Sequence, residues 1–211
     1  MHGLILRYAT IGSAATAAYR GSQMIARPLM LAIGLCLTAS ALAGGPAIPL
    51  ASVDLNRMYG AWYIVATIPN LLEKGMVEPR DVFSPGANGT VHENFSMRRG
   101  SFEATARDYS GTILIRQNAH DAYWVVAPIW PLRIPWLIFY VDPQYRYALF
   151  GEQNRNWGWI YSRTPRIPDS DYDDLMRRFS TMGYDITRFR KVLQFKDQLA
   201  LSGYWSQDIK P

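Results

Sequence analysis

The chain has 211 residues, room for one ordinary domain with extensions, and is 49% hydrophobic with a single cysteine. Its 22 Lys and Arg exceed its 17 Asp and Glu, but three of the basic residues fall in the first 43 positions, leaving 19 against 17, a formal charge of +2. That balance excludes nucleic-acid binding through bulk positive charge, and one thiol excludes a disulfide framework.

The first 43 residues contain Arg7, Arg20 and Arg27 and no acid. Residues 28–37 are almost wholly apolar, and Ala41-Leu42-Ala43 offers small residues at cleavage-type positions, so 1–43 reads as a secretory leader cut after Ala43. Met24 is an alternative start, because Met24 to Arg27 makes a compact positive segment. The apolar run is short for a membrane span, with an uncleaved anchor as the alternative. Cys36 lies inside that run behind Leu35, without the small-residue box of an acylation site, so lipidation is not expected.

Residues 44–52, rich in Gly, Ala and Pro, read as a flexible lead-in. Strands are then predicted at 60–67, 81–84, 90–97, 101–107 with continuation through 112–117, 122–129, 136–142, 146–152 and 157–163. Turn chemistry separates them, as at Pro85-Gly-Ala-Asn-Gly89 and Arg98-Arg-Gly100. About eight short strands in neighbour order predict an all-β fold, an eight-stranded antiparallel up-and-down barrel wide enough for one small ligand; a β-sandwich is the alternative. One flanking helix is predicted at 170–182. Tyr172, Leu175, Met176, Phe179 and Met182 recur at helical spacing, Asp169 or Ser170 can cap the start, and Gly183 can end it. Its apolar face is expected on the barrel's outer wall. The tail 196–211 carries no assignment.

Gly60 and Trp62 open the first strand, and Arg163 closes another about a hundred residues later. A glycine admits the chain to a crowded barrel floor, a tryptophan plugs that floor, and a guanidinium over the indole adds a cation–π contact. Their context is Val53 to Ile64, Ile68-Pro69-Asn70, Tyr140 to Leu149 with Asp142, and Trp159 to Pro165. In order and spacing these resemble the three sequence signatures of the lipocalins, most nearly the bacterial outer-membrane lipocalins and apolipoprotein D. The resemblance spans about 53–194 and implies a lipocalin-like barrel domain over 53–195, with an extra strand in 186–195 after the helix. It also implies a non-enzymatic carrier of a fatty acid, lysophospholipid or comparable amphiphile, serving membrane maintenance, exported to the periplasm or outer membrane and touching membranes transiently.

Strand geometry turns the floor residues into further expectations. With a period of two, Ile64 and Ala66 share the face of Trp62 unless a bulge intervenes, while Trp157, Trp159 and Tyr161 share that of Arg163. Trp159 is the foremost candidate for a ligand wall, and matches a tryptophan found there in the resembling proteins. Around Tyr123–Val126 and 136–141 both faces are apolar; Trp124, Val126 and Phe139 are taken as inward. Alternate loops of an up-and-down barrel share one end. The loops at 68–78, 97–100, 128–135 and 152–156 therefore form a rim carrying Ile68, Leu71, Leu72, Met76, Ile129, Trp130, Leu132 and Ile134 among Arg98, Arg99, Arg133 and Arg155. An apolar rim interleaved with arginines suits acyl chains and anionic head groups.

Catalytic signatures are absent from the sequence. Past the leader only His92 and His120 remain, without the ligand spacing of a zinc site, and no nucleophile elbow, phosphate loop or dinucleotide fingerprint occurs. No cofactor or metal is expected. Glu73, beside the apolar mouth, is expected to pair with Lys74 or to bond the loop backbone. Two alternatives are a lipocalin-form enzyme acting on a lipid or isoprenoid, for which no converging titratable pair is discernible, and an interaction module using the apolar rim as a protein interface, including a homodimer.

Overall fold

Runs of alternating apolar and polar side chains, broken by Gly, Pro and Asn, give nine strands and one long helix in the computed structural model, which describes residues 45–116, 119–127, 131 and 133–210. The predicted leader, with Cys36, and rim residues Ile129, Trp130 and Leu132 lie outside the described residues. The strands are β1 (Gly60–Thr67), β2 (Met76–Pro85), β3 (Val91–Arg99), β4 (Arg107–Ile115), β5 (Tyr123–Val126), β6 (Ile134–Val141), β7 (Tyr147–Gly151), β8 (Gly158–Ser162) and β9 (Arg190–Lys191). Each of the first eight pairs antiparallel with its neighbour in sequence, and β1 pairs with both β2 and β8. The sheet is thus a closed eight-stranded antiparallel barrel.

The β1–β2 seam has an unusual closure. Direct pairing runs only from Gly60↔Phe83 to Tyr63↔Arg80. Beyond it β9 pairs with Ala66 and Thr67, Val192 N–H donates to Val65 O (2.9 Å), and Glu78 N–H donates to Leu193 O (2.8 Å). Buried Gln194 donates through Nε2 to both Ile64 O (2.8 Å) and Pro79 O (3.0 Å). The segment after the helix therefore wedges between two diverging strands and satisfies backbone groups that the irregular pairing would otherwise strand. Only two of its residues are a strand, against the ten expected.

Two apolar clusters divide the molecule by strand face. Inside lie Trp62, Ile64, Met76, Phe83, Val91, Met97, Ile113, Trp124, Trp136, Ile138, Phe150, Trp159 and Tyr161. Outside, Val65, Ala66, Leu137, Phe139, Leu149 and Ile160 meet Leu175, Met176 and Phe179 of α2 (Asp169–Thr181), with α1 (Leu55–Met58) a single turn ahead of β1. Burying the Phe179 ring contributes about 2 kcal/mol to docking this helix. The start of α2 differs from expectation. Pro168 is the N-cap and makes no side-chain bond, and Asp169 instead accepts from Lys191 Nζ (2.7 Å). Gly183, at φ +81°, ends it as expected, and Tyr184 N–H turns back onto Phe179 O (3.1 Å).

The lead-in is pinned, not flexible: Ile48 exchanges hydrogen bonds with the Gln153 side chain, Ala51 N–H donates to Ile138 O, and Val53 N–H donates to His120 O. The tail is ordered too. The backbone N–H of buried Trp205 donates to Lys191 O, Lys210 N–H donates to Gly100 O, and Asp208 pairs with Lys74.

Candidate functional site

The floor is built from three chain segments. Gly60 has φ +97°, a backbone conformation that calls for glycine, and a Cβ there would touch Arg163 Nη1 at 3.4 Å. Trp62 is fully buried and donates Nε1–H to Met58 O (2.7 Å). The Arg163 guanidinium lies 3.8 Å over the indole and bonds Ala61 O (2.8 Å), Arg57 O (2.5 Å) and Tyr145 O (3.3 Å). Asp142, almost fully buried, accepts from Arg146 N–H, Tyr147 N–H (3.0 Å) and Arg146 Nε (3.0 Å), fixing the β6–β7 turn that presents Tyr145.

Above the floor the interior is a web of rings. Phe83, Trp124, Trp136, Phe150 and Tyr161 meet mostly edge to face at 4.7–6.5 Å between centroids, and Trp159 continues the web from Trp136 to Trp157 at 6.1 Å on each side. Trp124 and Tyr161 are completely enclosed and fill the lower barrel. Trp157, Val126 and Phe95 are half-buried against the same cluster. The less enclosed part of the inner wall therefore lies around these three residues and Trp159, not at the floor. Two expected wall residues face the other way. A β-bulge at Ile64/Ala66 resets the alternation and places Ala66 in the outer cluster under α2, while Phe139 lies there by plain alternation from the inward Trp136 and Ile138.

Trp159 is tied to the entrance. Its Nε1–H donates to Glu73 Oε1 (2.7 Å), while Glu73 Oε2 accepts from Asn70 Nδ2 (2.7 Å) and Thr67 Oγ1 (3.2 Å). Burial raises the Glu73 carboxyl above its ordinary range, and these donors and Arg99 oppose the rise. The expected Glu73–Lys74 pair does not form; Lys74 goes to Asp208. The loop so anchored holds Leu71 and Leu72 outward, 84% and 45% exposed, whereas Met76 and Ile68 are buried.

The rim arginines are already engaged. Arg98 bonds Glu78 Oε2 (2.7 Å) and Ala104 O (2.5 Å), Arg99 bonds Lys74 O and Leu72 O, and Arg155 bonds Met182 O, Gln153 O and Pro46 O. They hold loops in place instead of offering free charge to a head group; Arg133 is exposed. A groove of ≈ 400 Å³ outside the barrel, between Tyr63, Arg80, Arg98, Gln194 and Phe195, is wide open and partly walled by the Arg98–Glu78 pair. It shares no face with the aromatic interior, which is the better candidate.

The interior also holds acids that the sequence did not reveal. Asp81 on β2 and Glu93 on β3 project inward as diagonal neighbours, with Asp81 opposite Phe95 and Glu93 opposite both Phe83 and Gly111. Gly111 leaves room for Glu93, whose Oε2 would lie 3.5 Å from a Cβ there. Tyr161 donates its hydroxyl to Asp81 Oδ2 (2.8 Å). Burial, then the proximity of Glu93, holds the Asp81 carboxyl well above its usual range, and burial pushes Glu93 up to about 7. A converging titratable set is thus present. Its one sequence signal was parity: Asp81 is two residues from Phe83, and Glu93 two from Val91.

A closed antiparallel barrel with a plugged floor, a ring-lined interior and a loop-tied mouth defines a single-ended, closed β-barrel protein. The chain belongs to the lipocalins: residues 53–194 match the family model for a lipocalin-like domain. It is similar to temperature-induced lipocalin-1 of Arabidopsis thaliana, 30% identical over 67% of this chain and 80% of that protein. It is also similar to the outer membrane lipoprotein Blc of Escherichia coli K12, 24% identical over 67% and 79%. Among solved structures, insecticyanin from the tobacco hornworm Manduca sexta superposes with a TM-score of 0.56 at 15% identity, over 72% of this chain and 86% of that one. Lobster apocrustacyanin A1 gives 0.54 at 16% identity, over 72% and 92%. These likenesses carry the fold.

Proposed function

We propose that the chain is a non-enzymatic carrier that holds one lipid-like amphiphile in the upper barrel, for storage or transport in membrane maintenance at the bacterial envelope. The observation that carries this reading is the apolar wall of Phe95, Val126, Trp157 and Trp159, left half-open above a filled floor and hung, through Glu73, from the entrance loop. Each methylene moved from water into such a wall is worth about 0.8 kcal/mol, so an acyl chain is held without covalent chemistry. The similarity to proteins named outer membrane lipoprotein supports an exported, envelope location. Contact with the membrane is transient and runs through Leu71 and Leu72.

The test is titration of the purified chain with lysophosphatidylcholine and with a long-chain fatty acid, followed by tryptophan fluorescence. Saturation at one ligand per chain, weakened in Trp159→Ala, supports the carrier; no saturable change with either amphiphile sinks it. The Asp81–Glu93–Tyr161 set keeps a second reading in view, an enzyme acting on the enclosed lipid. Turnover of a bound lipid, abolished in Asp81→Asn, would favour it over simple carriage. A ligand-free dimer joined through Leu71 and Leu72 would favour the interaction module.

A further inference from the structure

Buried carboxyls in a lipid-binding barrel need an explanation, because an uncompensated charge in an apolar interior is costly. Among the described residues no ion pair reaches Asp81, Glu93 or Glu73, although eight are formed elsewhere. The Tyr161 hydroxyl serves one oxygen of Asp81, and Oδ1 of the same carboxyl has no donor once its neighbour Glu93, which shares a proton with it in more acid solution, is ionised. A second orphan lies in the same web. Trp136, 6% exposed, packs on Tyr161 and Phe83, the rings that flank Asp81, and its Nε1–H has no acceptor.

With Glu93 ionised, the interior therefore lacks a donor for a carboxylate and an acceptor for an indole, within an aromatic enclosure. A hydroxyl supplies both from one atom. An amine supplies the donor and, as ammonium, gains from the surrounding ring faces. A carboxylate or phosphate adds like charge beside two acids and supplies no proton. Glu93 is the half-buried member, set against the side-chain-free position of Gly111 one rung nearer the floor than Asp81. Three of the four rim arginines that would have received an anionic head, Arg98, Arg99 and Arg155, are spent on loop carbonyls and Glu78.

We propose that the barrel takes its amphiphile with a hydrogen-bond donor, a hydroxyl or an amine, leading inward onto the Asp81–Glu93 pair, and disfavours chains led by a carboxylate. This rests on the carrier reading and narrows its ligand class, turning the polar end inward. The test is isothermal titration calorimetry of the purified chain at pH 8 with decan-1-ol, decylamine and decanoate, which share chain length and differ in the leading group. Alcohol and amine are expected to bind at least about tenfold tighter than decanoate, a step of one decade in Kd. Glu93→Gln and Asp81→Asn, near-isosteric and each removing one ionisable group, are expected to narrow that ratio several-fold by improving decanoate. Equal or better binding of decanoate to the unaltered protein overturns the proposal and leaves the carrier reading standing, as does a ratio unchanged in both variants. Failure of all three chains to bind overturns both.

Discussion

Replacing Glu93 by Gln removes one of two carboxyls that share the barrel interior while keeping its volume. Burial raises the Glu93 carboxyl from 4.5 to about 7. A group whose folded-state value is raised stabilises the fold fully below its unfolded value, and that contribution is lost as pH rises through the folded one. Each tenfold in proton affinity is worth about 1.4 kcal/mol, so this one group costs the folded state up to about 3 kcal/mol between pH 5 and pH 8. Asp81 and Glu73 are raised as well and act in the same direction. The groups facing Glu93 do not reverse the sign: Asp81 on β2 and Tyr161 on β8 are acids, and Gly111 on β4 has no side chain. Carboxyls held low, such as Glu103 at about 2, lose their contribution only in more acid solution. Urea unfolding between pH 5 and pH 8 is the assay, with the midpoint expected to fall as pH rises at constant m-value. Glu93→Gln is expected to flatten that slope and to be more stable than the parent at pH 8 by about 2 kcal/mol, with the difference shrinking toward pH 5. A parent whose stability is level or rising across this window, or a variant that tracks it in parallel, refutes the reasoning.

Three further outcomes follow from the geometry. Glu73→Ala removes the acceptor shared by Trp159, Asn70 and Thr67, so amide exchange at Leu72 and Glu73 should quicken at least about tenfold, and unchanged protection would mean that the loop is held by other contacts. Arg163→Ala strips three carbonyls and the Trp62 ring of their partner; thermal unfolding should show a loss of about 2–3 kcal/mol, and a loss under about 0.5 kcal/mol would deny the floor its structural role. Leu71→Ser with Leu72→Ser should lower co-sedimentation with phosphatidylglycerol vesicles several-fold and leave thermal stability within about 0.5 kcal/mol, since both side chains face solvent; undiminished sedimentation would take the membrane contact away from this loop.

The floor was legible in the sequence because its logic is local: Gly60 and Trp62 lie two residues apart, and Arg163 follows directly on β8. The barrel itself followed from short strands in neighbour order. Side-chain direction beyond the floor was less legible. Ala66 was assigned inward by strict alternation, and a bulge, which leaves no mark in an apolar run, turned it outward; Phe139 was taken as inward in a run apolar on both faces, where nothing chose the parity. Asp81 and Glu93 were missed for a related reason: β2 was read as four residues without an orientation, and the sequence gives no sign that Glu93 faces Gly111 across the ladder. The rim arginines were visible, but their commitments to Leu72 O, Ala104 O and Pro46 O depend on loop conformations that no periodicity encodes. The same holds for residues 190–205, which are held by bonds to β1, β2 and one another.

Whether an amphiphile occupies the interior is tested most directly by native mass spectrometry of the protein purified gently from bacterial membranes. The account predicts one apolar chain ending in a hydroxyl or amine per protein, lost on mild activation and diminished in Trp159→Ala. A protein that emerges empty from membrane-rich preparations, and stays empty after incubation with each class of amphiphile, contradicts it.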